Sequence, residues 1–129
     1  MIETMRIGKL AERVGVTPRT IRYYEQIDLF SRSERVGRGF RHYTEYELAR
    51  LQKIDALKQL GLSLDEIRSV IDLYFEDATG IKGKQKVLTI LQRHLDETQE
   101  RIDALGQFRH ELATNIARVQ QLIEHAHAG

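Results

Sequence analysis

The sequence contains no cysteine. That absence removes disulfides, thiol redox sensing and thiolate metal sites together, although it does not fix the compartment. Proline occurs once, as Pro18, so little interrupts regular backbone and a mostly helical chain is expected. No apolar run approaches the length of a membrane span, and the first residues lack the apolar centre of a signal peptide. A soluble, cytoplasmic protein without a membrane partner is the expectation. No nucleophile–base pair, phosphate loop or metal motif stands out, so no enzyme, cofactor or metal site is expected. The net charge of +1 hides an uneven distribution. Residues 1–60 carry 12 Lys and Arg against 8 Asp and Glu, and residues 61–129 carry 8 against 11. A basic front and an acidic back fit a nucleic-acid module followed by a segment that leaves phosphate alone.

The front is organised around IGKLAERVGVTPRTIRYYEQIDL, residues 7–29. Ile7, Leu10, Ala11 and Val14 form a helical stripe, which Gly15-Val16-Thr17 interrupts. Thr17 is a good N-cap and Pro18 a good first helical residue. A second stripe follows at Ile21, Tyr24 and Ile27. Two short helices joined by a Gly-containing turn read as a helix-turn-helix. That leaves Arg19, Thr20, Arg22, Tyr23 and Gln26 on the outer face of the second helix. Arginine suits phosphates and guanine edges, and tyrosine can donate to a phosphate. Asp28 stands where a helix often ends on glycine in the left-handed region.

Residues 31–43 read SRSERVGRGFRHY, with Arg32, Arg35, Arg38 and Arg41 against Glu34 alone. Gly37 and Gly39 bracket Arg38, which suggests the tip of a small basic hairpin, a wing, rather than a flexible basic loop. Thr44 with Glu47, and Ser63 with Glu66, have the form of capping boxes that open a third and a fourth helix. Leu48, Leu51, Ile54, Leu57 and Leu60 line one face of the third helix, and Leu64, Ile67, Val70 and Ile71 that of the fourth. Gly61 separates them. Lys58 lies in the last turn of the third helix, within reach of its carbonyl end or of a phosphate.

Residues 76–86, EDATGIKGKQK, read as a hinge. From 87 to 124 a heptad register selects Leu88, Leu91, Leu95, Thr98, Ile102, Leu105, Arg109, Leu112, Ile116, Val119 and Ile123. Five heptads of this kind predict a coiled coil. Its remaining faces are charged, so the helix needs a partner, and a second copy is the expected one. Thr98 and Arg109 at core positions set register at a cost in stability. His94, His110, His125 and His127 lack ligand spacing and read as solvated. His42, beside the wing, is a phosphate candidate.

These stretches resemble the MerR family of bacterial transcription regulators. IGKLAERVGVTPRTIRYYE is similar to the family's opening helix pair, GFRHYT at 39–44 to its wing-to-helix motif, and LKQLGLSLDEI at 57–67 to its third-to-fourth helix joint. The resemblance implies a winged helix-turn-helix domain over 1–75, a linker at 76–86, an antiparallel coiled-coil dimerisation helix over 87–124 and a tail at 125–129. It implies a homodimer that binds a pseudo-palindrome in double-stranded promoter DNA and distorts the −35 to −10 spacer, acting on RNA polymerase indirectly through the promoter. The DNA-binding residues it implies are Thr17, Arg19, Arg22, Tyr23, Arg38, Phe40, Arg41, Tyr43 and Lys58. Tyr24 is turned toward the core by helical spacing. Dimerisation falls to Leu88, Leu91, Leu95, Ile102, Leu105, Leu112, Ile116 and Val119.

Without cysteine, the metal- and redox-sensing modes of the family are not expected, and with the chain ending after the coiled coil neither is the multidrug-sensing one. A small organic effector at Tyr74, Phe75 and Lys84 is the expectation that remains, against the simpler reading that Tyr74 and Phe75 plug the helix junction. The alternatives from other classes are an architectural, excisionase-like DNA-binding protein, which the heptads argue against, and a coiled-coil adaptor. Steep salt dependence with preference for one dyad separates a regulator from an adaptor.

Overall fold

The computed structural model describes residues 4–30 and 42–128, together with the backbone of 35–36 and 40–41. It is mostly α, as expected. The chain opens with β1 (Thr4–Met5), α1 (Ile7–Val14) and α2 (Pro18–Gln26). Three two-residue strands follow: β2 (Arg35–Val36), β3 (Phe40–Arg41) and β4 (Tyr43–Thr44). Then come α3 (Glu45–Gln59), α4 (Leu64–Val70), a 3-10 turn (Ile71–Phe75) and α5 (Ile81–Ala128). The chain divides into two compact units, Met1–Ile90 and Leu91–Gly129.

Strands β2 and β3 pair antiparallel, Arg35 opposite Arg41 and Val36 opposite Phe40, which is the hairpin that the basic segment predicts. The tip at 37–39 lies outside the described residues. Strand β1 pairs with β4, and the Thr4 hydroxyl meets Nδ1 of His42 at 3.0 Å. His42 is thus engaged within this small sheet.

The helices begin and end where local chemistry dictates. Helix α1 stops at Gly15, whose φ of +86° lets its N–H donate to the Ala11 carbonyl at 2.8 Å. The Glu47 carboxylate caps α3 by accepting from the Thr44 N–H at 2.6 Å and from the Thr44 hydroxyl. At α4 the box is reciprocal: Ser63 N–H donates to Glu66 at 2.9 Å, and Glu66 N–H donates to Ser63 Oγ at 3.2 Å. Leu48, Leu51, Ile54 and Leu57 are buried. Leu60, expected on the same face, is 55% exposed. It lies past the last residue of α3, and Gly61, at φ +97°, turns the chain so that Leu62 is buried instead. Leu64 is half-buried, while Ile67, Val70 and Ile71 are buried.

The expected hinge is largely helix. Asp77 accepts from the N–H of Thr79 at 2.8 Å and of Gly80 at 3.0 Å, and the Thr79 hydroxyl accepts from the Ile81 N–H at 3.1 Å. This turn starts α5 six residues earlier than the heptad pattern suggests. Gly83, in the stretch read as a hinge, sits inside the helix with the Tyr74 ring against it: a Cβ at 83 would meet Tyr74 Cδ2 at 2.5 Å. Gly83, Val87 and Ile90 are the buried residues of α5. Arg50 holds the preceding turn, pairing with Asp72 at 2.6 Å, with its guanidinium 5.6 Å from the Phe75 ring centroid.

This packing predicts a reversal of sign. Alanine is favoured over glycine by about 1 kcal/mol in a helix interior. Gly83→Ala nevertheless destabilises the protein by about 1–2 kcal/mol, because the methyl overpacks the site. In a Tyr74→Ala background the same substitution stabilises by about 1 kcal/mol. Urea denaturation at fixed protein concentration measures both; the same sign in both backgrounds contradicts the contact.

Candidate nucleic-acid interface

Helix α2 sorts its residues cleanly by face. Ile21, Tyr24 and Glu25 are buried. Arg19, Arg22, Tyr23 and Gln26, at helical spacings of three and four, are all exposed, Tyr23 at 49%. Thr17 caps the helix: its Oγ1 accepts from the Thr20 N–H at 3.1 Å and lies 3.0 Å from the Thr20 hydroxyl. Among the described residues, neither Arg19 nor Arg22 has a carboxylate partner. Two unneutralised guanidinium groups beside a tyrosine hydroxyl suit phosphate and base edges.

The inner face is polar as well as apolar, and each polar group on it is tied to another element. Tyr43, on β4, donates its hydroxyl to Glu25 Oε1 at 2.6 Å. The Lys58 ammonium, on α3, donates to the Tyr24 hydroxyl at 3.0 Å and sits 5.6 Å from that ring's centroid. This hydrogen bond, opposed by partial desolvation, raises Lys58 above the ordinary ammonium range. Arg68, on α4, donates to the Ile27 carbonyl at the C-terminal end of α2, where the helix dipole favours a cation. Past Ile27, Asp28 has φ +59°, as its glycine-like position predicts, and the chain turns back to bury Leu29 and Phe30. The Phe30 and Tyr43 rings stack with centroids 6.1 Å apart.

One of the expected positions needs correction, and three others fall outside the described side chains. Tyr43 is fully buried with its hydroxyl committed to Glu25, so it supports α2 from behind and does not reach DNA. Arg38 lies outside the described residues, as do the side chains of Phe40 and Arg41. Thr17, Arg19, Arg22 and Tyr23 share the α1–α2 surface. Lys58 is exposed; one ammonium proton goes to Tyr24, and the others are left for a phosphate. Tyr24 is buried, as helical spacing predicts. Glu25 and Arg68 had no local signal, because their partners lie far away in sequence.

Known proteins with this arrangement settle what the chain is related to. A model of the MerR HTH regulatory proteins matches residues 5–73, and a MerR DNA-binding model matches residues 48–115. The chain belongs to the MerR family. An uncharacterised HTH-type transcriptional regulator of Pseudomonas aeruginosa, PA4778, is 34% identical over 94% of this chain and 84% of its own length. The regulator ZntR of Escherichia coli is 38% identical over 83% and 74%. The transcription regulator PbrR691 from Ralstonia metallidurans, in complex with lead(II), superposes with a TM-score of 0.66 at 29% identity, over 84% of this chain and 81% of that one. HiNmlR, a MerR family regulator lacking the sensor domain and bound to promoter DNA, gives 0.52 at 27% identity, over 73% and 80%. This MerR-family chain is a DNA-binding transcriptional regulator, not an enzyme.

The donor set of this family member does not fit a soft metal ion such as that relative's lead. It has no cysteine, and among the described residues no three His, Asp or Glu side chains converge. The residues expected at an effector site each make a packing contact. Tyr74 lies on Gly83, and its burial raises the phenol above its ordinary range. The Lys84 ammonium donates to the Thr79 carbonyl at 3.1 Å. Phe75 meets the Tyr46 ring edge-on at 5.5 Å.

Tyr43→Phe removes one donor from a buried carboxylate and lowers folding stability by about 1–3 kcal/mol, measured by urea denaturation. Unchanged stability would contradict a supporting role for the Tyr43–Glu25 bond.

Proposed function

We propose that the protein acts as a homodimer on a pseudo-palindromic operator, each protomer presenting the outer face of α2 to a major groove. The wing, through Arg38, Phe40 and Arg41, and Lys58 hold the flanking backbone. The dimer distorts the spacer between the −35 and −10 elements and so reaches RNA polymerase indirectly. The observation that carries this reading is the α2 face itself: Arg19 and Arg22, with no carboxylate partner among the described residues, beside Tyr23 and Gln26. A second supports pairing: Leu88, Leu95, Ile102, Leu105, Leu112, Ile116 and Val119 are all exposed along α5 in the single chain. Such a stripe has to be covered in water. Leu91, half-buried, completes the expected seam.

The effector we propose is a small organic molecule, because the chain has no thiol to hold a soft metal. Phe75 is the most suitable of the three expected residues. The exposed Tyr46 ring against it offers a ligand an aromatic surface.

Fluorescence anisotropy on the promoter fragment beside the protein's own gene, and on a scrambled duplex, tests the reading across a salt series. Arg22→Ala weakens binding to the promoter fragment by about 5- to 150-fold and relaxes its preference over the scrambled duplex. Leu105→Asp yields a monomer in sedimentation and loses the preference for the promoter fragment. A Leu105→Asp protein that still dimerises removes this face of α5 from the interface, and unaltered binding by Arg22→Ala removes α2 from the groove.

A further inference from the structure

Two consecutive rings of the 3-10 turn, Tyr74 and Phe75, each meet a cation of α3, and the two cations lie one turn apart. The Arg50 guanidinium stands 5.6 Å from the Phe75 centroid and is also tied to Asp72. The Lys53 ammonium stands 4.6 Å from the Tyr74 centroid and, among the described residues, has no hydrogen bond or ion pair. Lys53 is half-buried, which strengthens an ammonium–ring attraction over its worth at an exposed site. The same Tyr74 ring lies across the start of α5. A Cβ on Gly80 would stand 3.2 Å from Tyr74 Cδ1, and one on Gly83 2.5 Å from Tyr74 Cδ2. One ring therefore links α3 to the beginning of α5, and all of these residues belong to the first unit.

We infer that Lys53 is a positioning residue for operator binding: its ammonium holds the Tyr74 ring, and through that ring it fixes the direction in which α5 leaves α3. The inference rests on the reading that two copies pair through α5 and bind a two-fold operator. With no Cβ on Gly80 or Gly83, the ring bears on backbone and not on a side chain that can turn to relieve it. Val87 and Ile90, buried farther along the helix, hold α5 by non-directional apolar contact. Helix α3 also carries Lys58, which donates to Tyr24 on α2. Its two lysines thus tie it to the start of α5 on one hand and to α2 on the other.

Helix α5 runs unbroken from Ile81 to Ala128. In a pair joined through that helix, the direction of its first turns sets how far apart the two α2 helices lie. One base pair added between half-sites moves one of them by about 3.4 Å and turns it by about 35° around the DNA axis. A firm joint penalises that change, and a loosened joint populates orientations that accept it. An ammonium–ring contact biases such an equilibrium by about 2- to 30-fold.

Fluorescence anisotropy of the full-length protein on three duplexes tests the inference. They are the promoter fragment beside the protein's own gene, the same fragment with one base pair inserted at the centre of the dyad, and the fragment with one half-site scrambled. The spacing ratio is the affinity for the first over that for the second. Both affinities come from one protein, so a lost charge cancels in the ratio. Lys53→Met keeps the aliphatic stem and removes the ammonium. It lowers the spacing ratio at least about threefold and leaves affinity for the half-site duplex within about twofold. Lys53→Gln does the same, Lys53→Arg retains the ratio, and Tyr74→Leu lowers it as Lys53→Met does. An unchanged ratio in Lys53→Met and Lys53→Gln, a ratio that Lys53→Arg loses equally, or a loss of half-site affinity as large as the fall in the ratio overturns the positioning role. An unsubstituted chain that does not bind the promoter fragment, or binds it without regard to spacing, fails the two-fold operator reading and the inference with it.

Discussion

Everything at the candidate DNA surface depends on how the inner face of α2 is held. A nine-residue helix is too short to be stable by itself. Its outer side is occupied by Arg19, Arg22, Tyr23 and Gln26, none of them buried. Ile21 supplies apolar anchoring, but the geometry comes from three polar ties made to three other elements. Tyr43 on β4 donates to Glu25, Lys58 on α3 donates to Tyr24, and Arg68 on α4 donates to the Ile27 carbonyl. Directional bonds fix the rotation of a helix about its axis more tightly than hydrophobic contact does. The rotation of α2 decides which side chains meet a groove, so the rest of the domain serves to set it.

That arrangement also explains the composition of the Ile-Arg-Tyr-Tyr-Glu run at 21–25. Its adjacent tyrosines do opposite things. Tyr23 is half-exposed, whereas Tyr24 is buried and its hydroxyl oxygen accepts from Lys58. Lysine in turn contributes to both sides, holding Tyr24 while its remaining ammonium protons face outward. Helix α5 divides its labour along its length in a comparable way. Gly83, Val87 and Ile90 are buried in the first unit, with Gly83 admitting the Tyr74 ring. From Leu95 on, the large apolar residues of the second unit are left exposed.

Local signals were legible in the sequence wherever the chemistry is local. The Thr17-Pro18 start of α2, the Ser63–Glu66 and Thr44–Glu47 caps, the left-handed Asp28 and the inward turn of Tyr24 follow from spacing and residue type. Long-range pairings were not. Tyr43 is an exposed-looking tyrosine in a basic segment until Glu25, 18 residues earlier, is found beneath it. Gly83 belongs to an apparent hinge until Tyr74 is found lying on it. Leu60 continues the apolar face of α3 on paper, but Gly61 ends the helix and gives the buried place to Leu62. The outer face of α2 was legible because its residues are where they are for want of anything to pair with inside the domain.

The most direct test of the account is methylation protection of guanine N7 in the major groove, across the promoter region beside the protein's own gene at physiological salt. The account predicts two protected tracts related by a dyad, about 10 base pairs apart centre to centre or a multiple of that. Each tract would mark one protomer's α2. Protection at a single unrelated tract, or none in the major groove despite binding, would contradict it.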